Sequence, residues 1–376
     1  MKKQLLLFLF LFFSSIIVNA QNITIPDTNF KAALVANTAI NTNNDSEIQT
    51  SEANAFDGSM DVSNKNISTL NGIEAFINLT TLSCYGNQLT SLDLSKNVKL
   101  KYLYSYNNKL TSINVSKNTE LKTLYSYNND LTSIDISNNL SLVYFDCSSN
   151  KINALDTSKN TKLSKIYCHT NQLSEIDVSK NIDLRLFFCY NNTDISSLDV
   201  SKNTELSSLN CGGNKITSID ISTCPKLTKL YCSINNLTSL NLANGTNTNF
   251  KEIEALRNSN LTCIQVDNVA YSTNNWTGSN FAFDSASSFS ENCATASINK
   301  NSLATVKTYP VPVKEILNIG INKEEITNIN ISDISGRIVF KGKNNNSINL
   351  NYLPMGVYIL RLTTTTGVLA KKFLKN

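Results

Sequence analysis

The strongest constraint on this chain is a period of 21 residues. Asn87, Asn108, Asn129, Asn150, Asn171, Asn192, Asn214 and Asn235 follow one another at that spacing, with a single interval of 22 where Thr193-Asp194 adds a residue. The apolar positions recur in step. Leu100-x-x-Leu103-x-Ser105-x-x-Asn108-x-Leu110 is followed by Leu121-x-x-Leu124-x-Ser126-x-x-Asn129-x-Leu131. A unit this short cannot bury its own apolar face, so neighbouring copies must stack and share one continuous core.

LxxLxLxxNxL is the leucine-rich repeat pattern, here with Cys or Ser at its third apolar place. The segment from the second Leu to the Asn reads as a strand, and successive strands pair in parallel about 4.8 Å apart. The chain then turns inward, stranding peptide groups that an Asn amide, with donors and an acceptor together, can satisfy. Composition reflects the demand, since 57 of the 376 residues are Asn. A second column, Asp93, Asn114, Asp135, Asp156, Asp177, Asp199, Asp220 and Asn241, reads as turn chemistry on a solvated edge. Cys84, Cys147, Cys168, Cys189, Cys211 and Cys232 take the inward place and read as small buried thiols at a tight corner. Cys224 lies off that column, unassigned.

Residues between the apolar positions point outward from the concave sheet. They are Tyr85, Tyr102, Tyr104, Tyr106, Tyr125, Tyr127, Tyr144, Tyr167, His169, Phe188, Tyr190 and Tyr231, which include ten of the chain's 14 Tyr. Strand preference favours Tyr, but it would not confine Tyr to these few places. The reading is an aromatic stripe about 30–40 Å long, from repeats about 4.8 Å apart. Tyr offers a large amphipathic contact at low entropic cost. Such a stripe suits an extracellular protein, a peptide or a glycan.

The flanks carry their own signals. Lys2 and Lys3, the apolar run Leu5–Val18 and the close Val18-Asn19-Ala20 read as a cleaved export signal over 1–20. Export permits disulfides, and Cys263 and Cys293, which bracket a segment containing Trp276, are expected to pair and staple the end of the solenoid. Ile25-Pro26-Asp27 to Leu34 reads as an amphipathic cap. In the segment after it, Asn41, Asn43, Asp45, Glu47 and Glu52 resemble the oxygen ligands of a calcium loop, although Asn41 replaces Asp and Ser46 replaces the turn Gly. Such a loop would bind calcium weakly, in roughly the 0.1–1 mM range, or serve simply as a polar capping loop.

Catalytic classes find little support. One His excludes multi-imidazole metal centres, and GxxxxGK[ST], GxSxG and GxGxxG are all missing from the sequence. Charge divides the chain instead. Residues 21–295 carry 20 Lys+Arg against 25 Asp+Glu, and 296–376 carry 11 against 4. The basic charges are scattered among strand-like segments, which is not a nucleic-acid footprint, and no later stretch could span a bilayer as a helix.

After a linker at 296–304, Ile316–Ile319, Ile329–Ile334, Arg337–Phe340 and Val357–Leu362 alternate, with turns at Ser335-Gly336, Leu353–Gly356 and Thr366-Gly367. Short strands so spaced indicate a small β-sandwich. Tyr309-Pro310-Val311-Pro312, Asp333-x-x-Gly336-Arg337, Leu353-Pro354-x-Gly356-x-Tyr358 and Lys371-Lys372-Phe373-Leu374-Lys375 make this region resemble the type A C-terminal sorting domain of the type IX secretion system, with Val311 where Asn is usual. The resemblance implies passage across an outer membrane, removal of the domain, and release or surface attachment. Residues 22–295 resemble internalin-like leucine-rich repeat proteins, which implies adhesion or partner binding and supplies no catalytic residue. The expected organisation is therefore a signal (1–20), an N-terminal cap (21–78), eight repeats (79–245), a C-terminal cap (246–295), a linker (296–304) and an all-β sorting domain (305–376). The alternatives to partner binding are a structural surface coat and a glycan-binding accessory module.

Overall fold

The computed structural model describes residues 21–192, 194–293, 307–320, 326–343, 346–364 and 367–376; the signal and linker assignments lie outside them. The chain divides into two compact units, at Phe289/Ser290.

The first unit is a leucine-rich repeat solenoid. Its main sheet is parallel and has eleven strands in nearly sequential order, from Ser59–Asp61 through Thr81–Ser83, Tyr102–Tyr104, Thr123–Tyr125, Tyr144–Asp146, Lys165–Tyr167, Leu186–Phe188, Ser208–Asn210, Lys229–Tyr231 and Glu252–Ala255 to Phe281–Phe283. Most of these strands have only three residues, because only the middle one needs to enter the core. Leu82, Leu103, Leu124, Phe145, Ile166, Phe187, Leu209 and Leu230 hold that place, each fully buried. The sheet runs past the eight copies of the sequence pattern. At either end Met60 and Ile253 keep the buried middle position where the flanking consensus is lost.

The Asn column supplies the hydrogen bonds expected of it. Asn129 Nδ2 donates to the carbonyls of Ser105 (3.1 Å) and Ser126 (3.1 Å), while its Oδ1 accepts the Leu110 amide (3.0 Å). One side chain thus ties its own strand end to the preceding turn. Asn258 repeats the arrangement beyond the sequence pattern, on the Cys232 and Ala255 carbonyls and the Leu237 amide. The residue before each column Asn is left-handed, with φ of 55° at Asn107, 52° at Asn128, 66° at Gly86 and 65° at Gly213. Asn and Gly tolerate that region, whereas Thr170 and Ile234 are held there by the turn, at 54° and 59°.

The opposite wall carries the second column. Asp93, Asn114 and Asp135 form isolated parallel bridges, and from Ser218–Asp220 onward the wall becomes a four-stranded sheet with Ser239–Asn241, Cys263–Gln265 and Ser288–Ser290. Its Asp side chains do turn chemistry, as when Asp135 Oδ1 accepts the Ser137 amide (2.8 Å) on the exposed edge. A third column escaped the sequence reading. Asn97, Asn118, Asn139, Asn160, Asn181 and Asn203 are completely buried. Asn139 Nδ2, for example, donates to the carbonyls of Val115 (3.0 Å) and Asn118 (2.8 Å). Cys224 takes the next place, with its Sγ 3.6 Å from the Val200 carbonyl and 3.7 Å from that of Asn203.

The ends are closed differently. At the front, helix Thr28–Val35, N-capped by Asp27, buries Phe30 and Leu34 against the first turns. At the back, Trp276 packs among Phe250, Phe281, Phe283 and Phe289. Cys263 and Cys293 are both disulfide-bonded, and the other seven cysteines are free.

The second unit is antiparallel and all-β. One sheet holds Lys307–Tyr309, Ile316–Gly320 and Ser347–Asn349; the other holds Ile338–Gly342, Ile326–Asp333, Gly356–Thr364 and Gly367–Lys375. Leu317, Ile329, Ile331, Ile348, Leu360 and Phe373 form its core. The motif residues close turns here. Asp333 Oδ1 accepts the amides of Ser335 and Arg337, its Oδ2 accepts from Arg337 Nε (3.0 Å), and the Tyr358 hydroxyl donates to the Pro354 carbonyl (3.0 Å).

Replacing Asn129 by Ala leaves the Leu110 amide unpaired and removes one of the two Asn donors that reach each of the Ser105 and Ser126 carbonyls, where Asn108 and Asn150 still donate. The expected cost is about 1–3 kcal/mol, read as a fall in the chemical denaturation midpoint. Asp135→Ala, at a solvated turn, should move the midpoint far less.

Candidate binding face

In-register pairing of the strands converts sequence period into columns of side chains. The residue before the buried strand centre gives one outward column, in which Tyr102, Thr123, Tyr144 and Lys165 are successive partners. The residue after it gives a second, with Tyr104, Tyr125, Asp146, Tyr167 and Phe188. Two residues further on, Tyr85, Tyr106, Tyr127, Ser148, His169 and Tyr190 form a third. All twelve aromatic residues expected on this face stand on it, mostly half-buried, with Tyr144 exposed.

The third column is a ladder of stacked rings. Tyr85 and Tyr106 have centroids 4.4 Å apart at 7°, and Tyr106 and Tyr127 repeat this at 4.4 Å and 8°. The stack stops at Ser148 and resumes with His169 and Tyr190, at 4.1 Å and 8°. In the second column the rings meet edge to face, Tyr104 with Tyr125 at 5.6 Å and Tyr167 with Phe188 at 5.1 Å. Such pairs add about 0.5–1.5 kcal/mol each beyond area burial, so the rings hold one another in place. Tyr231 stands apart from the stacks, its hydroxyl donating to Glu252 Oε2 at 2.5 Å.

The charged members of the face were not anticipated. Asp146 interrupts the second column, and both the Ser148 amide (2.9 Å) and the Ser148 hydroxyl (2.6 Å) donate to its Oδ1. Burial raises its carboxyl above the ordinary range despite those bonds. Lys165 lies over the Tyr144 ring, 5.0 Å from its centroid. Burial lowers the His169 pKa below its ordinary 6.5, so the imidazole is neutral at neutral pH. Burial, reinforced by the neighbouring phenols Tyr127 and Tyr85, pushes Tyr106 up to about 12. The sequence signal for Asp146 was an acid at an outward position otherwise given to Tyr.

The calcium-like residues are tied together by hydrogen bonds. Glu52 Oε1 accepts the amides of Thr42 (2.8 Å) and Asn43 (3.3 Å), and its Oε2 accepts that of Gln49 (3.0 Å). Asn41 donates to the Val35 and Asp45 carbonyls, Asn43 donates to Asp45 and Gln49, and Glu47 pairs with Lys31 at 2.5 Å. Among the described residues no three His, Cys, Asp or Glu side chains are gathered as a metal site requires.

Residues 307–376 match the family described as the secretion system C-terminal sorting domain. No curated protein matches the sequence. Among solved structures, the chain is similar to the functional domain of InlJ from Listeria monocytogenes, described as including a cysteine ladder, at 22% identity over 95% of this chain and 98% of that one, with a TM-score of 0.44. It is also similar to internalin inlF from Listeria monocytogenes, at 20% identity over 70% of this chain and 95% of that one, with a TM-score of 0.47. A leucine-rich repeat protein of Leptospira interrogans follows at 23% identity, covering 52% of this chain and 56% of that one, with a TM-score of 0.44. The chain is a leucine-rich repeat protein whose sorting domain marks it as secreted or attached to the cell surface. Among the described residues no helix is long and apolar enough to cross a membrane.

Two outcomes follow from the titrating groups. Burial would raise the Glu52 pKa, but the Gln49, Asn43 and Thr42 donors outweigh it and lower the value below the ordinary 4.5. Its contribution to cap stability is therefore complete above pH 4.5 and lost as pH falls through the depressed value. Amide exchange of Thr42 and Asn43 should accelerate over that window, and Glu52→Gln should remove the dependence. Burial also pushes the Cys84 and Cys211 thiols up to about 12 and Cys224 to about 11. Iodoacetamide should leave the seven free thiols unmodified in the native protein and label them once it is unfolded.

Proposed function

We propose that this protein acts outside the cell by binding an extracellular protein or peptide through the aromatic concave face. The observation that carries the proposal is the ordered ring array itself. Stacks of Tyr85, Tyr106 and Tyr127 and of His169 and Tyr190 present half-buried aromatic surface on rigid strands. Aromatic anchors of this kind lose little side-chain entropy on binding and are the residues that dominate interface energetics. The sorting domain serves delivery, through secretion machinery that recognises residues 305–376, and the binding function belongs to the solenoid. Nothing in this reading calls for a catalytic group.

The test is a four-residue variant, Tyr104→Ser, Tyr106→Ser, Tyr125→Ser and Tyr127→Ser, compared with the unaltered chain on arrays of extracellular proteins, peptides and oligosaccharides. Loss of tenfold or more in affinity, about 1.4 kcal/mol, with an unchanged circular dichroism spectrum would support the face. Equal retention by both proteins would point to a structural coat. Competition by a soluble oligosaccharide would assign the face to glycans.

A further inference from the structure

One margin of the concave face carries a run of like charge. Backbone hydrogen bonds join Lys101, Lys122, Val143, Ser164 and Arg185 in register, each amide donating to the carbonyl of the residue before it, and the same column runs on to Lys251. These positions fall two residues before the buried strand centres, so they border the first outward column. Lys101, Lys122, Arg185 and Lys251 are cationic and no member is acidic, although residues 21–295 as a whole carry more acid than base. Lys101 and Lys122 stand on adjacent strands, where like charges cost stability. Compensation is partial. Lys101 pairs with Glu120 at 3.7 Å, and the Arg185 charge acts on Glu205, which Lys226 already holds. Lys122 is exposed and has no ion-pair partner among the described residues.

The cations near the rings fall into two groups. Lys101 and Lys122 lead into the strands that bring Tyr104 and Tyr125 edge to face at 5.6 Å. Lys165 and Arg185 belong to the strands that bring Tyr167 and Phe188 together at 5.1 Å, and Lys165 lies on the face itself, over the Tyr144 ring. The strand Tyr144–Asp146 between the groups differs. It has Val143 at the margin and Asp146 among the rings, so an acid placed there would meet another carboxyl. Two rings beside two cations thus occur twice, three strand spacings apart, which is about 14 Å. An extended peptide rises about 3.3 Å per residue, so side chains four positions apart share one side of it and span about 13 Å. An apolar peptide would cover the rings but desolvate the cations without a partner. A continuously acidic one would oppose Asp146.

We infer that the concave face takes an extended peptide carrying two acidic side chains four positions apart, one meeting Lys101 and Lys122 and the other Lys165 and Arg185, with apolar side chains between them against the rings. The inference rests on the partner-binding reading of this face and names the chemistry of the partner. It also gives the peptide a register, since the two cation groups fix where its acids lie along the solenoid.

The probes are three acetylated, amidated heptapeptides. Ser-Glu-Leu-Thr-Leu-Glu-Ser has the inferred spacing, Ser-Gln-Leu-Thr-Leu-Gln-Ser removes the charge, and Ser-Leu-Glu-Thr-Glu-Leu-Ser keeps the composition but sets the acids two positions apart. Each is titrated into the full chain while the backbone amides of Lys101, Lys122, Lys165 and Arg185 are followed by NMR. The expected result is a saturable shift with the first peptide at millimolar concentration and binding roughly fivefold weaker for the other two. Raising the salt from about 20 mM to about 0.5 M should erase that preference by screening. The double variant Lys122→Gln, Arg185→Gln, altered only at exposed side chains, should keep the parent's circular dichroism spectrum and bind all three peptides alike. Equal binding by the parent, absence of a saturable shift, or a preference that survives either high salt or the double substitution would overturn the inference. Failure here is separable from failure of the binding face as a whole. In the first case a partner found on the arrays is held at full affinity by the double variant and lost by the four-Tyr variant, and in the second the four-Tyr variant retains it too.

Discussion

The solenoid depends on satisfying peptide groups where the chain turns inward. A strand of three residues cannot pair the backbone that enters and leaves it, and the apolar stack excludes water from the corner. Asn129 shows the solution, since one amide closes two carbonyls and one backbone amide across two successive turns. The hydrogen bonds are individually modest, but leaving them unmade in a dry core would be costly. Because each Asn reaches into the preceding turn, it also fixes the offset between repeats. The insertion near Asp194 illustrates this. Asn214 Oδ1 accepts the Asn192 amide (3.1 Å) in place of an amide two positions further on, and Phe187 still pairs with Leu209. The extra residue is absorbed in the loop.

Fixed register has a consequence for the outer face. Side chains at one outward position are brought a strand spacing apart, which is close to stacking distance, so repeating an aromatic residue at that position builds a ring ladder with no further design. Tyr85, Tyr106 and Tyr127 need only the 21-residue period and a shared rotamer to lie nearly parallel. The same rule makes a substitution conspicuous. Ser148 and Asp146 fall on one turn, so the ring ladder is interrupted where a carboxyl enters the neighbouring aromatic column. The core below is unaffected, for Phe145 and Cys147 alternate with them and remain buried.

Much of this was legible in the residues. Leu100, Leu103 and Asn108 announce strand, core and corner, and period-two alternation places Tyr104 and Tyr106 outside. What the sequence concealed had definite causes. Met60 and Ile253 continue the sheet without the flanking consensus, so the eight pattern copies understate its eleven strands. Asn41, Asn43 and Asp45 have calcium-loop spacing, but spacing does not reveal that Asn41 and Asn43 donate within the loop or that Glu52 accepts three backbone amides. Ring stacking depends on rotamers, which no linear pattern contains.

Cys224 carries the last lesson, because its meaning lies in the column it joins rather than in the thiol ladder. At Asn97, Asn118, Asn139, Asn160 and Asn203 the Nδ2 group is used and the buried Oδ1 has no hydrogen-bond partner among the described residues. Asn181 is the exception, its Oδ1 accepting the Thr157 hydroxyl at 2.8 Å. An unpaired buried acceptor is unfavourable, so the position must be selected for donation. Cys224 meets that requirement differently. Its Sγ approaches the Val200 and Asn203 carbonyls, the places equivalent to the Val178 and Asn181 carbonyls that receive Asn203 Nδ2. A thiol donates more weakly than an amide but carries no strong acceptor to strand. The two residue types are thus alternative answers to one demand, a small buried donor at a carbonyl-rich corner. This column holds successive turns of the solenoid together through buried donors.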